Sequence, residues 1–164
     1  MSQLVSLQGS QRQRRQWLLA ASSTLMLPGL FATGLPALPS SESLSDELRG
    51  ALRNAKPLVV MVSLEGCVFC RSVRERHLVP LREQEGIPVV QVDMRSRRLT
   101  RDFSGGPITH DDRVRLWNVK VAPTVLFIGR GGVEFAERLS GFSEDFYGSY
   151  VAERLARAQA RLRA

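Results

Sequence analysis

Soft metal-binding side chains are scarce in this chain: 164 residues contain two cysteines and two histidines. A zinc site takes about four ligands, so Cys67, Cys70, His77 and His110 would all have to converge. His77 falls seven residues after Cys70 on the same expected helix, about 10 Å away at 1.5 Å per residue, which is too far to share an ion. Zinc is thereby excluded, and only a copper site made of two thiolates stays open. Aromatic residues make up 7% and are not interleaved with basic ones, which argues against nucleic-acid binding. No apolar run reaches the roughly 20 residues of a comfortable membrane span, and no segment repeats. Acidic residues are absent from the first 37 positions, which hold three arginines.

The rest has the composition of a soluble globular domain. Apolar residues are 43% and charged residues 24%, enough for a core that needs no metal or disulfide staple. The net charge of +7 comes partly from the amino terminus; beyond residue 37 there are 20 basic against 16 acidic residues. Residues 1–37 have the order of an export signal: a basic stretch ending in Arg14-Arg15, the short apolar run Trp17–Leu27, then small residues through Ala37. The arginine pair, with Trp17 and Leu18 after it, resembles a twin-arginine signal, although Gln13, Trp17 and Leu19 depart from the usual residues. Cleavage is expected after Gly34 or Ala37. The alternative is an uncleaved anchor or a basic tail.

Residues 38–43 read as a linker and 44–164 as one domain. Ser43 is placed to cap a helix with Leu44, Leu48, Ala51, Leu52 and Ala55 on one face, ended by Pro57. The run Leu58–Leu64 is a strand buried on both sides. The only two cysteines follow as Cys67-Val68-Phe69-Cys70, opening a helix whose stripe continues through Val73, His77, Leu78 and Leu81; Pro80 should kink or end it. Ile87–Val92 is a second strand, and 94–108 an arginine-rich loop. Thr109 caps a short helix facing Val114 and Trp117 inward. Strand Thr124–Ile128, a turn at Gly129–Gly132 and strand Val133–Leu139 make a hairpin. Ser143 is placed to cap a final helix bearing Phe146, Tyr150, Val151, Leu155, Ala158 and Leu162. The order αβαβαββα implies an α/β fold with a mixed sheet and helices on both faces.

A strand ending in Cys-x-x-Cys at a helix start brings two sulfurs within disulfide reach. It also aims the first at backbone N–H groups that lack helical partners. With Val121-Ala122-Pro123-Thr124 about 50 residues on, leading into a strand and a glycine turn, residues 44–160 resemble thioredoxin. More narrowly, Leu139-Ser140-Gly141-Phe142, then Phe146-Tyr147 and Tyr150, with the long excursion before Thr109, is similar to periplasmic SoxW-type thioredoxin-related proteins.

The resemblance implies a thioredoxin fold and an exported protein-disulfide oxidoreductase of cell redox homeostasis. It would act on disulfide-containing periplasmic proteins, take electrons from a membrane thiol relay, work as a monomer, and need no cofactor beyond a redox-active Cys67–Cys70 disulfide. Cys67 would be the nucleophile, with Arg71 aiding its thiolate, and Cys70 the resolving thiol. A cis Pro123 would set the Ala122 backbone beside Cys67 to pair with substrate. Met61 and Gly66 stand where thioredoxin keeps an Asp and a Trp; Glu65 and Asp93 are then the nearest acids, for proton transfer or as plain structural carboxylates. Uncharged Val68 and Phe69 between the cysteines favour reduction or isomerisation over oxidation. A redox-inactive binding module or a copper-handling protein is the alternative. His77 is expected to pack along its helix, and His110 to lie on the surface. Phe69 and Phe142 are expected near the site. Arg95, Arg97, Arg98 and Arg101 would dock an acidic partner or form a solvated loop.

Overall fold

Alternation within the strands decides how this chain packs. A computed structural model describes residues 37–164; the expected export segment lies outside them but for Ala37. Strand β1 (Leu58–Ser63) is buried along its whole length. Successive side chains of a strand point to opposite faces, so Val59 and Met61 join one core while Leu58, Val60 and Val62 join another. Strands β2 (Val89–Asp93) and β5 (Thr124–Ile128) divide in the same way, with Val125 and Phe127 on the first side and Leu126 and Ile128 on the second.

A four-stranded sheet results, ordered β2-β1-β5-β6, with β6 at Glu134–Ser140. Strand β1 runs parallel to β2 and antiparallel to β5, and β5 runs antiparallel to β6. On one face lie α1 (Leu44–Arg53) and α4 (His110–Leu116), packed through Leu44, Leu48, Ala51 and Val114. On the other lie α2 (Val68–Val73), α3 (Val79–Glu83) and α5 (Tyr147–Arg163), packed through Cys70, Val73, Leu81, Val151, Leu155 and Ala158. The expected mixed sheet with helices on both faces is therefore the observed architecture.

Two helix starts follow their caps. The Ser43 hydroxyl accepts from the Asp46 amide at 3.3 Å, and the Thr109 hydroxyl from the Asp112 amide at 3.1 Å. Helix α1 stops before Pro57, closing at Asn54 with Ala55 at φ 51°. Pro80 falls where one helical segment gives way to the next. A π turn spans Arg74–Leu78, closed by the Val79 amide on the Arg74 carbonyl, and the chain continues into α3 with Pro80 in its first turn. The wider turn accommodates a residue without an N–H. Burying Val79 and Leu81 is worth about 1.5–3 kcal/mol each, more than the about 1 kcal/mol of one forfeited backbone bond.

Four expectations need correction. Residues 38–43 are no free linker: Leu38 is in the core, and the Gln91 amide donates to the Pro39 carbonyl at 2.8 Å while the Ser41 amide donates to the Gln91 carbonyl at 2.8 Å. The 94–108 loop contains a two-stranded ribbon, β3 (Leu99–Arg101) with β4 (Pro107–Thr109). Ser143 does not cap α5, which begins at Tyr147 after Phe146 in the left-handed region at φ 65°. That start leaves Phe146 and Tyr150 exposed rather than packed. His110 is fully buried instead of superficial. It is held there by the Asp93 amide on Nδ1 (3.1 Å) and by the Ser41 carbonyl at Nε2 (2.9 Å).

Candidate functional site

The end of β1 delivers the cysteines. Gly66, at φ 73°, turns the chain from strand to helix through a conformation that costs glycine little. Cys67 is then extended, at φ −75° and ψ 109°, and caps α2 with its own sulfur, which accepts from the Cys70 amide at 3.1 Å. The two residues are joined by a disulfide, with Cα atoms 5.2 Å apart. Cys67 is partly exposed, whereas Cys70 is fully buried in the core beside Met61. The pair is asymmetric: one sulfur faces solvent and helix-start amides, the other faces hydrocarbon.

The second arm comes from the segment before β5. The Ala122–Pro123 peptide is cis, and Pro123 is buried. The Cys67 sulfur lies 3.9 Å from the Ala122 carbonyl oxygen. Residues 55 positions apart in sequence thus share one surface. Val68, Phe69 and Val121 are all exposed there.

Beside Cys67 opens a cleft of about 800 Å³ lined by Arg71, Arg74, Arg95 and Arg98 together with Glu65 and Asp93. Its floor is polar and ordered. Arg74 donates from Nε to the Gln91 side-chain oxygen (2.9 Å) and from Nη2 to the Ser63 hydroxyl (3.2 Å). The Gln91 amide nitrogen in turn donates to Asp93 at 2.6 Å. Asp93 is therefore engaged in the floor of the cleft, while Glu65 is exposed at its edge.

An aromatic file leads away from the cysteines. Phe69 stands 5.9 Å from Phe142, Phe142 5.3 Å from Tyr147, and Tyr147 5.2 Å from His77, all tilted. Burial pushes the Tyr147 phenol well above its usual range, and burial, followed by nearby Arg76, pulls His77 below its ordinary value. His77 is thus a packing residue two turns from the disulfide, as its helical spacing implied. Among the described residues no group of three or more His, Cys, Asp or Glu side chains is arranged to hold a metal ion, and no helix is long and apolar enough to cross a membrane.

Of the residues singled out from sequence, the structure brings Cys67, Cys70, Ala122 and Pro123 together and sets Arg71 on the cleft wall. Arg95 and Arg98 join that wall; Arg97 and Arg101 are exposed outside it. Phe69 and Phe142 stack on each other. Three residues of the cleft lie outside those expectations: Arg74, and Ser63 and Gln91, which bind it. A signal for Arg74 was present, because Cys67, Arg71 and Arg74 follow the i, i+4, i+7 spacing of one helical face.

No family model matches the chain, and no curated protein does. Among solved structures the chain is similar to a DsbH oxidoreductase, at 18% identity over 84% of this chain and 96% of that one, with a TM-score of 0.53. It is also similar to thioredoxin O2 from Arabidopsis thaliana (20%, 71% and 95%, TM-score 0.47). A third is the periplasmic thioredoxin SoxS from Paracoccus pantotrophus (21%, 63% and 99%, TM-score 0.43). The likeness to the DsbH oxidoreductase, at this identity, is one of fold. The sheet order, the Cys-x-x-Cys at the start of α2 and the cis peptide before β5 are those of a thioredoxin fold.

Proposed function

We propose that this protein is an exported thiol–disulfide oxidoreductase that reduces or isomerises disulfides in periplasmic partner proteins through Cys67 and Cys70. The observation that carries the reading is the unequal setting of the two sulfurs: Cys67 partly exposed at a helix start, 3.9 Å from the Ala122 carbonyl, and Cys70 fully buried. The periplasmic assignment, and the SoxW-type likeness within it, rest on residues 1–37 and on the motifs around Gly141.

In the reducing direction the Cys67 thiolate attacks one sulfur of a partner disulfide. A Cys67–partner S–S bond forms as the partner bond breaks, and the departing sulfur leaves as a thiolate that takes up a proton. Cys70 then loses its proton and attacks Cys67, re-forming the internal disulfide and expelling the second partner thiol. Two electrons have passed to the partner; a membrane thiol relay is the proposed source that restores the dithiol. The amides at the start of α2 hold charge on Cys67. Arg71, one turn on, adds to them. The Ala122 backbone positions an extended substrate, and the exposed apolar surface of Val68, Phe69 and Val121 receives its side chains. No separate cofactor is invoked, and the protein is proposed to act as a monomer.

The decisive experiment uses single cysteine variants with insulin as test disulfide and an artificial dithiol as electron source. Cys67→Ser should lose reduction altogether, and Cys70→Ser should accumulate a mixed disulfide with the substrate. Parental rates in both variants would rule out the enzyme and leave a redox-inactive binding module. Copper retention by the dithiol in preference to disulfide exchange would favour copper handling. Equilibration with glutathione fixes direction: the uncharged Val68-Phe69 pair predicts a potential nearer to thioredoxin than to the strongly oxidising members of the fold.

A further inference from the structure

The cleft beside Cys67 carries more positive charge than its own fold neutralises. Arg71, Arg74, Arg95 and Arg98 line it against only two carboxylates, Glu65 and Asp93. Among the described residues none of these four arginines is in a salt bridge. Arg74 is bound by two neutral groups, the Gln91 amide and the Ser63 hydroxyl, which orient its guanidinium without cancelling its charge. Guanidinium groups held by neutral partners keep free donors for bidentate carboxylate binding.

The loop bearing the other two is fixed in place. The Arg95 amide donates to Asp111 at 2.8 Å with Arg95 itself at φ 61°. The Arg98 amide donates to the Ser96 hydroxyl at 3.2 Å, and its carbonyl accepts from the His110 amide at 2.9 Å. Asp111 is also paired with Arg115 at 2.5 Å, so it draws no charge away from Arg95's guanidinium. The cationic wall is therefore presented by a tethered backbone, which lowers the ordering cost of binding.

Position says what enters. Cys67 lines the cleft and at the same time contacts Ala122. A chain that pairs with the Ala122 backbone and offers its disulfide to Cys67 continues directly into the arginines. We infer that the cleft seats an acidic peptide segment flanking the reactive disulfide of the partner protein, and so selects acidic substrates. This inference rests on the disulfide-exchange reading above.

The test compares three disulfide-bonded peptides, identical but for flanking residues that are acidic, neutral or basic, reduced by the full chain at low salt. Reduction of the acidic peptide should exceed that of the basic one by about tenfold in kcat/KM, since each exposed charge pair adds a modest factor and several act together. The advantage should shrink as salt shortens the screening length. Arg95→Asn/Arg98→Ser should bring the ratio close to one, whereas Arg157→Ser/Arg163→Ser, an equal charge loss on α5, should leave it intact. Arg95→Glu/Arg98→Glu should invert the preference, an outcome no misfolded variant can imitate. Equal rates on acidic and basic peptides, or a preference untouched in the Arg95/Arg98 variants, would overturn the inference while the oxidoreductase stands. Oxidised glutathione reduced faster than the acidic peptide, with the same arginine dependence, would assign the cleft to a small anion instead and overturn it equally. Binding of a cysteine-free acidic peptide, followed by NMR shifts, gives a readout independent of turnover. Arginine-dependent binding with no reduction of any peptide would support the cleft and sink the enzyme.

Discussion

His110 reaches the Ser41 carbonyl with Nε2 at 2.9 Å, across 69 residues of chain. The ring's tautomer follows from its other side: the Asp93 amide can only donate, so Nδ1 is the acceptor and Nε2 carries the proton given to Ser41. One neutral imidazole thus ties the segment before α1 to the end of β2. His110→Ala would leave both backbone groups unpaired and open a cavity. A loss of about 3 kcal/mol in urea denaturation is expected, with residues 38–42 becoming cleavable by protease before the rest of the domain.

Alkylation should separate the two thiols. In the reduced protein, iodoacetamide at mildly acid pH should label Cys67 faster than a cysteine in an unstructured peptide, and leave fully buried Cys70 untouched until the protein unfolds. Peptide mapping by mass spectrometry reads both. Labelling of Cys67 no faster than the peptide would remove the helix-start stabilisation on which nucleophilic attack depends.

His77 gives a pH dependence with a definite sign. Its folded value lies below the ordinary one, through burial and then Arg76, so protonation favours the unfolded chain. Its contribution is complete above about pH 6.5 and is lost as pH falls through the folded value. The ring is half-exposed, which keeps the effect below about 1 kcal/mol. His77→Gln should flatten the fall in urea midpoint between pH 7.5 and 5.5 and leave stability at pH 7.5 nearly unchanged.

Arg113 holds the β3–β4 ribbon to α4. Its guanidinium carbon lies 4.5 Å from the Trp117 ring centre and 5.2 Å from that of Phe103, with Asp102 at 2.9 Å. Lysine keeps the charge but cannot stack as a plane. Arg113→Lys should cost about 1 kcal/mol, and hydrogen exchange should quicken in residues 99–109 first.

Gly129 is required by proximity. A Cβ there would sit 2.3 Å from the Phe135 ring, so Gly129→Ala should destabilise by about 2 kcal/mol. Gly129→Ala/Phe135→Leu should recover part of that. A harmless Gly129→Ala would mean that the turn between β5 and β6 relaxes more freely than its geometry implies.

What the chain disclosed in advance follows the range of the interactions. Ser43 and Thr109 were legible as caps because their partners lie three residues away. The buried strands were legible because Leu58–Ser63 and Thr124–Ile128 are apolar at every position but their polar ends. The Cys67–Cys70 pair and Pro123 were legible because motif and order together specify them. His110 misled because its partners, Ser41 and the Asp93 amide, are 69 and 17 residues distant, and local pattern makes a histidine at a helix start look superficial. Ser143 misled as well: its spacing suits a cap, but α5 begins only at Tyr147, after Phe146 at φ 65°. Arg74 was hidden because its ligands, Gln91 and Ser63, come from two different strands.

The pairing of residues 39–41 with Gln91 also determines how the sheet ends. One side of β2 pairs with β1, with Met61 in register with Gln91, while the Gln91 N–H and C=O both turn to the other side, to Pro39 and Ser41, so β2 offers no bare border at that point. The opposite border, β6, breaks register twice against β5 and bears Glu134, Glu137 and Arg138. Irregular, charged margins are poor templates for another molecule's strand. Protection from sheet-to-sheet clumping is thus written into the same short segment that follows the expected cleavage point.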